Sequence, residues 1–396
     1  MNPLHVFYET GKEAPVRKVK YVRDLTQIEQ LSDTARKGLR PVADTFKFRA
    51  NDYYLGLINW DDPHDPIKKI IIPQLNELQD FGQLDASDES TNYVAPGTQH
   101  KYPHTALLLC IETCAGYCRF CFRKRLFMDE NDEVVNDVSE GIDYIRRHPQ
   151  INNVLLTGGD PLLMSTRKLE KIIRELRKIE HVQVIRIGSK IPAFNPYRII
   201  NDHELPAMLS RYSTRQKRIY LMSHFNVPNE VTDVASLGID LLMKAGVIVA
   251  NQTPILRGIN DSPIVLNQLM NKLSYIGVPP YYFFQCRPTK GNKPFELPLV
   301  QAYRTVETAK KGVSGLAKRA RLVMSHATGK IEMVGLNDHH IYLRYHRARD
   351  PKDEGRFMAF HRNDRAYWFD DLVPAEQTDR QIRILARTPF DEFRPQ

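Results

Sequence analysis

Cys114, Cys118 and Cys121 lie within eight consecutive residues, and the whole chain contains only five cysteines. Thiolates in so short a loop can converge on one centre, and soft sulfur ligands suit an iron–sulfur cluster. Three ligands are one fewer than a closed four-iron cluster takes, so one iron would remain open to another ligand. The spacing therefore predicts an oxygen-sensitive cluster, held by these three cysteines, that can bind a small molecule.

A structural zinc site, or a set of buried structural cysteines, is the alternative interpretation. A closed zinc site requires a fourth cysteine or histidine at a suitable distance. Cys110 is a poor candidate because it lies inside the apolar run Thr105–Ile111, and Cys286 is far away in the sequence. We therefore favour the cluster.

The composition is that of an ordinary globular enzyme, with 42% hydrophobic and 26% charged residues. Few, clustered cysteines argue against a secreted disulfide framework, and we find no signal peptide and no apolar stretch long enough to cross a bilayer. We therefore expect a cytoplasmic protein without a membrane partner. The net charge of +9 suits anionic ligands or an acidic partner, although the dispersed cations also describe an ordinary solvated surface.

Short apolar runs that alternate with helical stretches must position the cysteine loop. After residue 100 the apolar runs predict strands at residues 105–111, 153–157, 183–188, 219–223, 246–252 and 280–286. The segments between them predict helices at residues 137–147, 166–179, 204–212, 231–245 and 263–277. Such alternation is typical of a parallel sheet with crossover helices.

The residues that could carry chemistry lie at the ends of these strands: Cys114, Gly158, Ser189, His224, Asn251 with Gln252, and Cys286. In a barrel, the carboxyl ends of the strands form one mouth in which a site is built. We therefore predict an α/β fold with a partial (β/α)6 barrel at residues 101–300. A mainly helical region at residues 1–100 precedes the barrel.

The predicted N-terminal region contains a helix within residues 20–40 that Pro41 interrupts, a second helix at 67–80, and a polar linker at 82–98. A C-terminal region at 301–396 completes the chain. It has a basic helix at 300–321 and short strands at residues 332–334, 340–345, 357–361 and 366–369.

The cysteine loop resembles the signature of the radical SAM superfamily, Cys-x3-Cys-x-aromatic-Cys, with Phe120 at the aromatic position. The resemblance implies a [4Fe-4S] cluster whose open iron chelates S-adenosylmethionine (SAM). An electron from the cluster, supplied by a reducing donor protein, then yields a 5′-deoxyadenosyl radical. The run Gly158-Gly159-Asp160 resembles the Gly-Gly-Glu-type motif that contacts the amino group of SAM.

A narrower resemblance, to the lysine 2,3-aminomutase family, covers about residues 45–335. It rests on stretches in family order at residues 46–55, 59–66, 100–103, 186–192, 224–230, 251–261 and 281–286. It implies a partial barrel of radical SAM type and an isomerase that moves an amino group from C2 to C3 of an amino acid. Ser189, His224 and Gln252 are then further cofactor-binding residues.

The family also uses pyridoxal 5′-phosphate (PLP), held as a Schiff base by a lysine in a glycine-rich segment. Here Lys330, after the single Gly329, is the corresponding residue, and a primary amine is what this chemistry requires. Lys101 and Tyr102 stand where the family places PLP contacts. Thr105 stands where the lysine enzymes have a second phosphate-binding arginine. A solvated lysine before a strand is the alternative interpretation of Lys330.

The resemblance implies that Arg123 pairs with the substrate α-carboxylate; a surface arginine is the alternative. Arg287 stands where enzymes that act on free lysine have an aspartate for the ε-ammonium group, and residues 323–326 lack a second acid. One charge pair at ~4 Å is of order 4 kcal/mol at an effective dielectric constant near 20. We therefore expect a substrate other than free lysine, such as glutamate or another acidic or neutral amino acid, with Arg287 near its side chain.

Other functions stay open. The chain could modify a protein lysine, as one branch of the family does, or use SAM without PLP. A non-catalytic iron–sulfur or nucleic-acid-interaction protein would leave Gly158, His224 and Gln252 unexplained, and we expect no nucleic-acid partner. The family's C-terminal zinc-binding cysteines are absent, since no cysteine follows Cys286, so a homo-oligomer remains an open question.

Overall fold

Twelve strands form one sheet in the computed structural model, which describes residues 16–128 and 133–375. A separate two-stranded sheet lies near the N-terminus. The strands are β1 Tyr21–Val22, β2 Ala50–Asn51, β3 Tyr93–Ala95, β4 Thr98–Tyr102, β5 Thr105–Ile111, β6 Asn153–Gly158, β7 Val184–Ser189, β8 Ile219–Ser223, β9 Ile248–Ile255, β10 Pro280–Gln285, β11 Arg321–His326, β12 Gly329–Leu336, β13 His340–Ala348 and β14 Phe357–His361.

The helices lie mostly between the strands of the large sheet. They are α1 Asp33–Thr45, α2 Asp52–Leu55, α3 Pro66–Ile71, α4 Ser139–Arg146, α5 Thr166–Arg177, α6 Ile191–Phe194, α7 Tyr197–Ile200, α8 Glu204–Tyr212, α9 Asp233–Lys244, α10 Pro263–Tyr275 and α11 Leu299–Lys311. None of the helices in the described ranges is both long and apolar enough to span a bilayer.

Strands β5 to β11 are parallel neighbours and follow one another in chain order. A doubly wound sheet reverses its strand order, whereas successive right-handed crossovers in one direction curl the sheet toward a barrel. The terminal strands β3 and β14 do not pair, so the barrel is open. The predicted α/β partial barrel is confirmed.

Side chains along a barrel strand alternate between the packed outer core and the cavity inside the barrel. In β7, Ile185 and Ile187 are fully buried, whereas Arg186 and Gly188 are accessible from the cavity that the barrel encloses. Successive side chains of a strand point to opposite faces. In α5, Leu169, Ile172 and Leu176 recur at helical spacing and are buried, so this helix covers the outside of the barrel.

Three local predictions need correction. Pro41 lies inside α1 and does not end it; the helix continues to Thr45, whose hydroxyl donates to the Pro41 carbonyl at 2.9 Å. Residues 366–369 are not a strand, because the Asp371 carboxylate accepts the backbone N–H groups of Tyr367 and Trp368 in a tight turn. The basic helix is shorter than predicted and is followed by the unpredicted parallel strand β11.

The three predicted regions share one sheet. The boundary near residue 100 falls inside β4, which pairs with β3 on one side and β5 on the other. At the other end, β11 pairs in parallel with β10 and in antiparallel fashion with β12. The N-terminal and C-terminal regions therefore extend the barrel sheet at its two edges.

Candidate active site

A cavity of about 410 Å³ lies inside the barrel and extends to the carboxyl ends of the parallel strands. It is lined by residues of the parallel strands and of the loops that follow them, together with side chains from residues 87–92, β4, β12 and β13. The structure brings every predicted site residue to this one cavity: Lys101, Tyr102, Cys114, Cys118, Cys121, Arg123, Gly158, Gly159, Asp160, Ser189, His224, Gln252, Arg287 and Lys330. Their individual roles remain predictions.

The cysteine loop is fixed by the N-terminal region. Arg119, which is almost fully buried, donates to both oxygens of the buried Glu77 carboxylate at 2.8–3.1 Å and also to the carbonyl of Phe46. The Asn51 side chain donates to the Ala115 carbonyl at 3.1 Å. These contacts hold the backbone of the loop in place, so the cysteines need not order it themselves.

The environment of the three thiols disfavours free thiolates unless a positively charged group binds them. Burial raises the pKa of Cys114, Cys118 and Cys121, and a thiolate at Cys121 would further raise the pKa of Cys114 and Cys118. Within the described residues, no set of three or more His, Cys, Asp or Glu side chains is close enough to hold a single metal ion. A cluster distributes its ligands over several irons and supplies the positive charge that thiolates require, so the donor set fits a cluster.

Gly158 and Gly159 are glycines because the backbone passes very close to the cysteine loop. A Cβ on Gly158, whose φ is +112°, would lie 2.5 Å from the Ile111 carbonyl oxygen. A Cβ on Gly159 would lie 2.4 Å from the Thr113 carbonyl oxygen. The glycines therefore let the end of β6 lie against the entry to the cysteine loop.

Asp160 joins the ends of two neighbouring strands. Its buried carboxylate accepts backbone N–H groups from Leu162, Lys190 and Ile191 at 2.7–3.1 Å. Burial outweighs these hydrogen bonds and raises its pKa to about 6. Since its oxygens already accept these bonds, the side chain fixes the Gly158-Gly159 backbone and the start of the segment after Ser189.

His224 offers an unused polar atom to the cavity. Its Nε2 is buried and, within the described residues, has no hydrogen-bond partner. Burial, reinforced by the charge of Lys190, holds its pKa well below the usual value, so the ring is neutral. Its ring lies 5.8 Å from that of Phe120 in the cysteine loop. An orphaned buried nitrogen beside the three cysteines fits a polar ligand such as SAM.

Lys330 extends into the cavity from β12. Its Nζ lies 4.2 Å from the ring centroid of Tyr282 and 5.4 Å from that of Phe284. Burial, followed by the charges of Arg186 and Arg347, lowers the pKa of Lys330 to about 7. A lysine that is partly unprotonated at neutral pH is a competent nucleophile toward an aldehyde. The position fits a PLP lysine and differs from the solvated alternative.

Lys101 and Tyr102 lie on β4, beside the same end of the cavity. The Lys101 ammonium donates to the His326 carbonyl at 2.6 Å, and burial together with the charge of Arg287 lowers its pKa to about 8. Burial raises the pKa of Tyr102 to about 12. Lys101 thus links the first barrel strands to β11 and places a cation near Lys330.

Glu89 is a site residue that the sequence did not indicate. Its carboxylate is buried and receives both Nε and Nη2 of Arg123 at 3.1 Å and Nη2 of Arg125 at 2.9 Å. Although burial opposes ionisation, Arg123 and Arg287 hold its pKa far below the usual range. Glu89 lies in the polar stretch 82–98, where it belongs to no recognisable motif.

Arg123 and Arg287 differ in how many of their donors are used. Nη1 of Arg123 also donates to Thr157 at 2.8 Å, so Arg123 has protein partners along its whole guanidinium group. Arg287 contacts Glu89 only through Nη1, at 3.5 Å, and its guanidinium lies 3.7 Å from the ring centroid of Phe122. The predicted pairing of Arg123 with a substrate carboxylate stays a prediction; Arg287 has more donors to offer.

The cavity as a whole carries an excess of positive charge. Its acidic lining residues are Glu89 and Asp160. Its basic lining residues are Lys101, Arg123, Arg186, Lys190, Arg287, Lys330 and Arg347. Arg186 belongs to a stretch that carried the family resemblance, whereas Arg347 lies beyond it; neither was predicted as a site residue. Such a cavity favours anionic ligands.

Comparison with known proteins gives consistent matches. The model of the radical SAM superfamily matches residues 108–221. A protein of Aquifex aeolicus named "Putative L-lysine 2,3-aminomutase" is 54% identical over 358 residues, 90% of this chain and 96% of that one. The L-lysine 2,3-aminomutase of Clostridium subterminale is 38% identical over 301 residues, 75% of this chain and 71% of that one. The glutamate 2,3-aminomutase of Clostridioides difficile is 33% identical over 302 residues, 76% of this chain and 70% of that one.

Proposed function

The chain belongs to the lysine 2,3-aminomutase family of the radical SAM superfamily, and from this membership we propose that it isomerises an α-amino acid to a β-amino acid by moving its amino group. One observation carries the proposal: the Lys330 amine and the three cysteines face the same cavity. A radical source and an amine carrier must act on one substrate molecule, so their sites have to share one enclosed space.

The residues present fit the three cofactors of this chemistry. Cys114, Cys118 and Cys121 would hold a [4Fe-4S] cluster, and Lys330 would hold PLP. The residues that would hold SAM are the Gly158-Gly159 backbone, Ser189, His224 and Gln252, with Asp160 positioning that backbone. When bound, the cluster with SAM supplies a 5′-deoxyadenosyl radical, and PLP supplies a conjugated carrier for the migrating nitrogen.

Lys330 contributes a reactive amine. At neutral pH a large fraction of its Nζ is unprotonated, because burial and the neighbouring cations lower its pKa to about 7. The rings of Tyr282 and Phe284 hold the end of the side chain in the cavity.

The positive charge of the cavity selects against a cationic substrate side chain. Glu89 is already shared by Arg123 and Arg287, so it cannot neutralise a further ammonium group. A second cation at ~4 Å from Arg287 would meet a repulsion of order 4 kcal/mol at an effective dielectric constant near 20. Arg287 and Lys101 instead favour a carboxylate. We therefore propose an acidic substrate, with glutamate as the first compound to test.

The test is anaerobic reconstitution of the full chain with iron, sulfide, SAM, PLP and a reductant, followed by analysis for β-amino acids. Glutamate, aspartate, alanine and lysine are supplied separately at equal concentrations. We expect a β-amino product from glutamate and none from lysine, and no product from the Lys330→Ala variant. Efficient turnover of lysine would contradict the proposed substrate class, and full activity of Lys330→Ala would contradict the role of Lys330.

A further inference from the structure

Arg347 lies on β13 directly opposite Lys330 on β12. Opposite residues of an antiparallel pair have their side chains close together on one face of the sheet. The pairing shifts by one residue next to Lys330, so that His346 is an extra residue in β13. Such bulges redirect side chains. Here Arg347 enters the cavity beside Lys330 while His346 contacts the Tyr282 hydroxyl.

The guanidinium of Arg347 reaches the far edge of the barrel. Its Nη1 lies 3.5 Å from the Thr105 hydroxyl at the start of β5, and its Cζ lies 4.6 Å from the ring centroid of Tyr102. Because the barrel is open between its first strands and the C-terminal strands, this side chain spans the opening. The positively charged side chain of Arg347, from the C-terminal region, therefore lies beside Thr105.

Within residues 16–128 and 133–375, Arg347 forms no ion pair with an acidic side chain, although other cations surround the neighbouring Lys330. Burial lowers the pKa of Lys330 and that of Arg186, and the charge of Arg347 lowers both further. Lys101 also acts on Lys330. Cations held this close together repel one another, and a phosphate group bound between them would relieve this repulsion.

We propose that Arg347 binds the phosphate group of PLP and takes the place of the second phosphate-binding arginine that the lysine enzymes have at the position of Thr105. The inference rests on the proposed function, since it requires PLP on Lys330. It makes β13 part of the cofactor site. A planar guanidinium can donate two parallel hydrogen bonds to phosphate oxygens, which the Thr105 hydroxyl cannot replace.

The test compares PLP with pyridoxal, which has the same aldehyde and no phosphate. The full chain, freed of PLP, is titrated with each compound, and Schiff-base formation is followed by its visible absorbance. The ratio of the two dissociation constants isolates the contribution of the phosphate. For Arg347→Gln we expect PLP binding to weaken about tenfold to a hundredfold, as for loss of a charged hydrogen bond, with pyridoxal binding within about twofold of the wild type.

Two further variants sharpen the result. Arg344→Gln is the matched control, because Arg344 lies on the same strand and pairs with Glu332; it should leave both dissociation constants unchanged. The double variant Thr105→Arg with Arg347→Gln moves the guanidinium from β13 to β5. We expect it to recover at least half of the binding free energy for PLP that Arg347→Gln loses. A melting temperature near that of the wild type shows that each variant is folded.

Each contrary result has a distinct meaning. If Arg347→Gln binds PLP as the wild type does, or loses PLP and pyridoxal equally, the assignment of Arg347 is wrong while the proposed function stands. If the wild type forms no Schiff base with either aldehyde, or Lys330→Ala still forms one, the proposed role of Lys330 fails and the assignment of Arg347 fails with it.

Discussion

The Arg287 guanidinium lies 3.5 Å from the Glu89 carboxylate, a looser contact than those by which Arg123 and Arg125 hold the same carboxylate. The Arg287 guanidinium also stacks on the ring of Phe122. A charged group that is oriented by an aromatic face but only weakly hydrogen-bonded can accept a new anionic partner without losing a strong one. Arg287 is therefore the residue through which we expect the substrate side chain to be selected.

Arg287→Gln should lower kcat/KM for glutamate about tenfold to a hundredfold, because a charged hydrogen bond to the substrate is lost. Arg287→Asp should lower it further, since it places a second carboxylate beside Glu89. Steady-state kinetics of the reconstituted enzyme provide the measurement. The exposed Arg257, which donates to the Glu296 carbonyl, offers the control Arg257→Gln with unchanged kinetics. Equal effects of the two Gln variants would exclude Arg287 from substrate binding.

Cys118→Ala should prevent assembly of a stable cluster and abolish reductive cleavage of SAM. The control is Cys110→Ala, because Cys110 is buried in β5 and contacts the Thr157 carbonyl through its sulfur. Iron content and 5′-deoxyadenosine formed after reduction with dithionite are the two readouts. We expect near-normal values for Cys110→Ala. Retained SAM cleavage in Cys118→Ala would overturn the cluster assignment.

The rate at which PLP forms a Schiff base with Lys330 should depend on pH in a specific way. Only the unprotonated amine attacks the aldehyde, and the pKa of Lys330 is lowered to about 7 from its ordinary value of 10.5. The rate should therefore rise about tenfold per pH unit below pH 7 and level off above it. Stopped-flow absorbance measures it. A rate that still rises tenfold between pH 8 and pH 9 would mean that the amine is not buried among cations.

Breaking the Arg119–Glu77 pair should destabilise the protein and loosen the cysteine loop. Removing one member of a buried ion pair leaves an uncompensated charge and typically lowers the free energy of unfolding by about 3–5 kcal/mol. Arg119→Ala should therefore lower the melting temperature and the iron content together. Arg40→Ala, which removes an exposed pair with Asp44, should change the free energy of unfolding by under about 1 kcal/mol. Similar melting temperatures for the two variants would contradict the anchoring role of Arg119.

The sequence was sufficient to predict those elements that neighbouring residues alone specify. The strands β5 and β8 and the helix α8 match their predicted bounds, because apolar periodicity and flanking turn residues specify such elements within a few residues. The cysteine spacing likewise fixed the three thiols in one loop. Repetition of strand and helix was then enough to predict that residues at the strand ends would meet in one cavity. Cys114, Gly158, Ser189, His224, Gln252 and Cys286 do line it, whereas the Asn251 side chain is buried and bonded to the Phe225 backbone.

Predictions from local sequence patterns were wrong where the hydrogen-bond partner of a segment comes from another part of the chain. The alternation at residues 366–369 looked like a strand, but the Asp371 carboxylate satisfies the backbone donors there. β11 was missed because the predicted basic helix ended at residue 321 and no element was predicted for residues 322–326. β11 forms by parallel pairing with β10, and pairing with a distant strand leaves little signature in a short stretch of sequence.

The sequence by itself determined which residue types could bind the cluster, activate an aldehyde and approach a ligand, since those properties belong to single side chains and short spacings. Only the tertiary structure decided their electrostatic surroundings. It joined Glu89 to Arg123 and Arg287, and it brought Arg347 across the open barrel to Thr105. Charge interactions depend on distance in space and on burial, and neither can be obtained from separation along the chain.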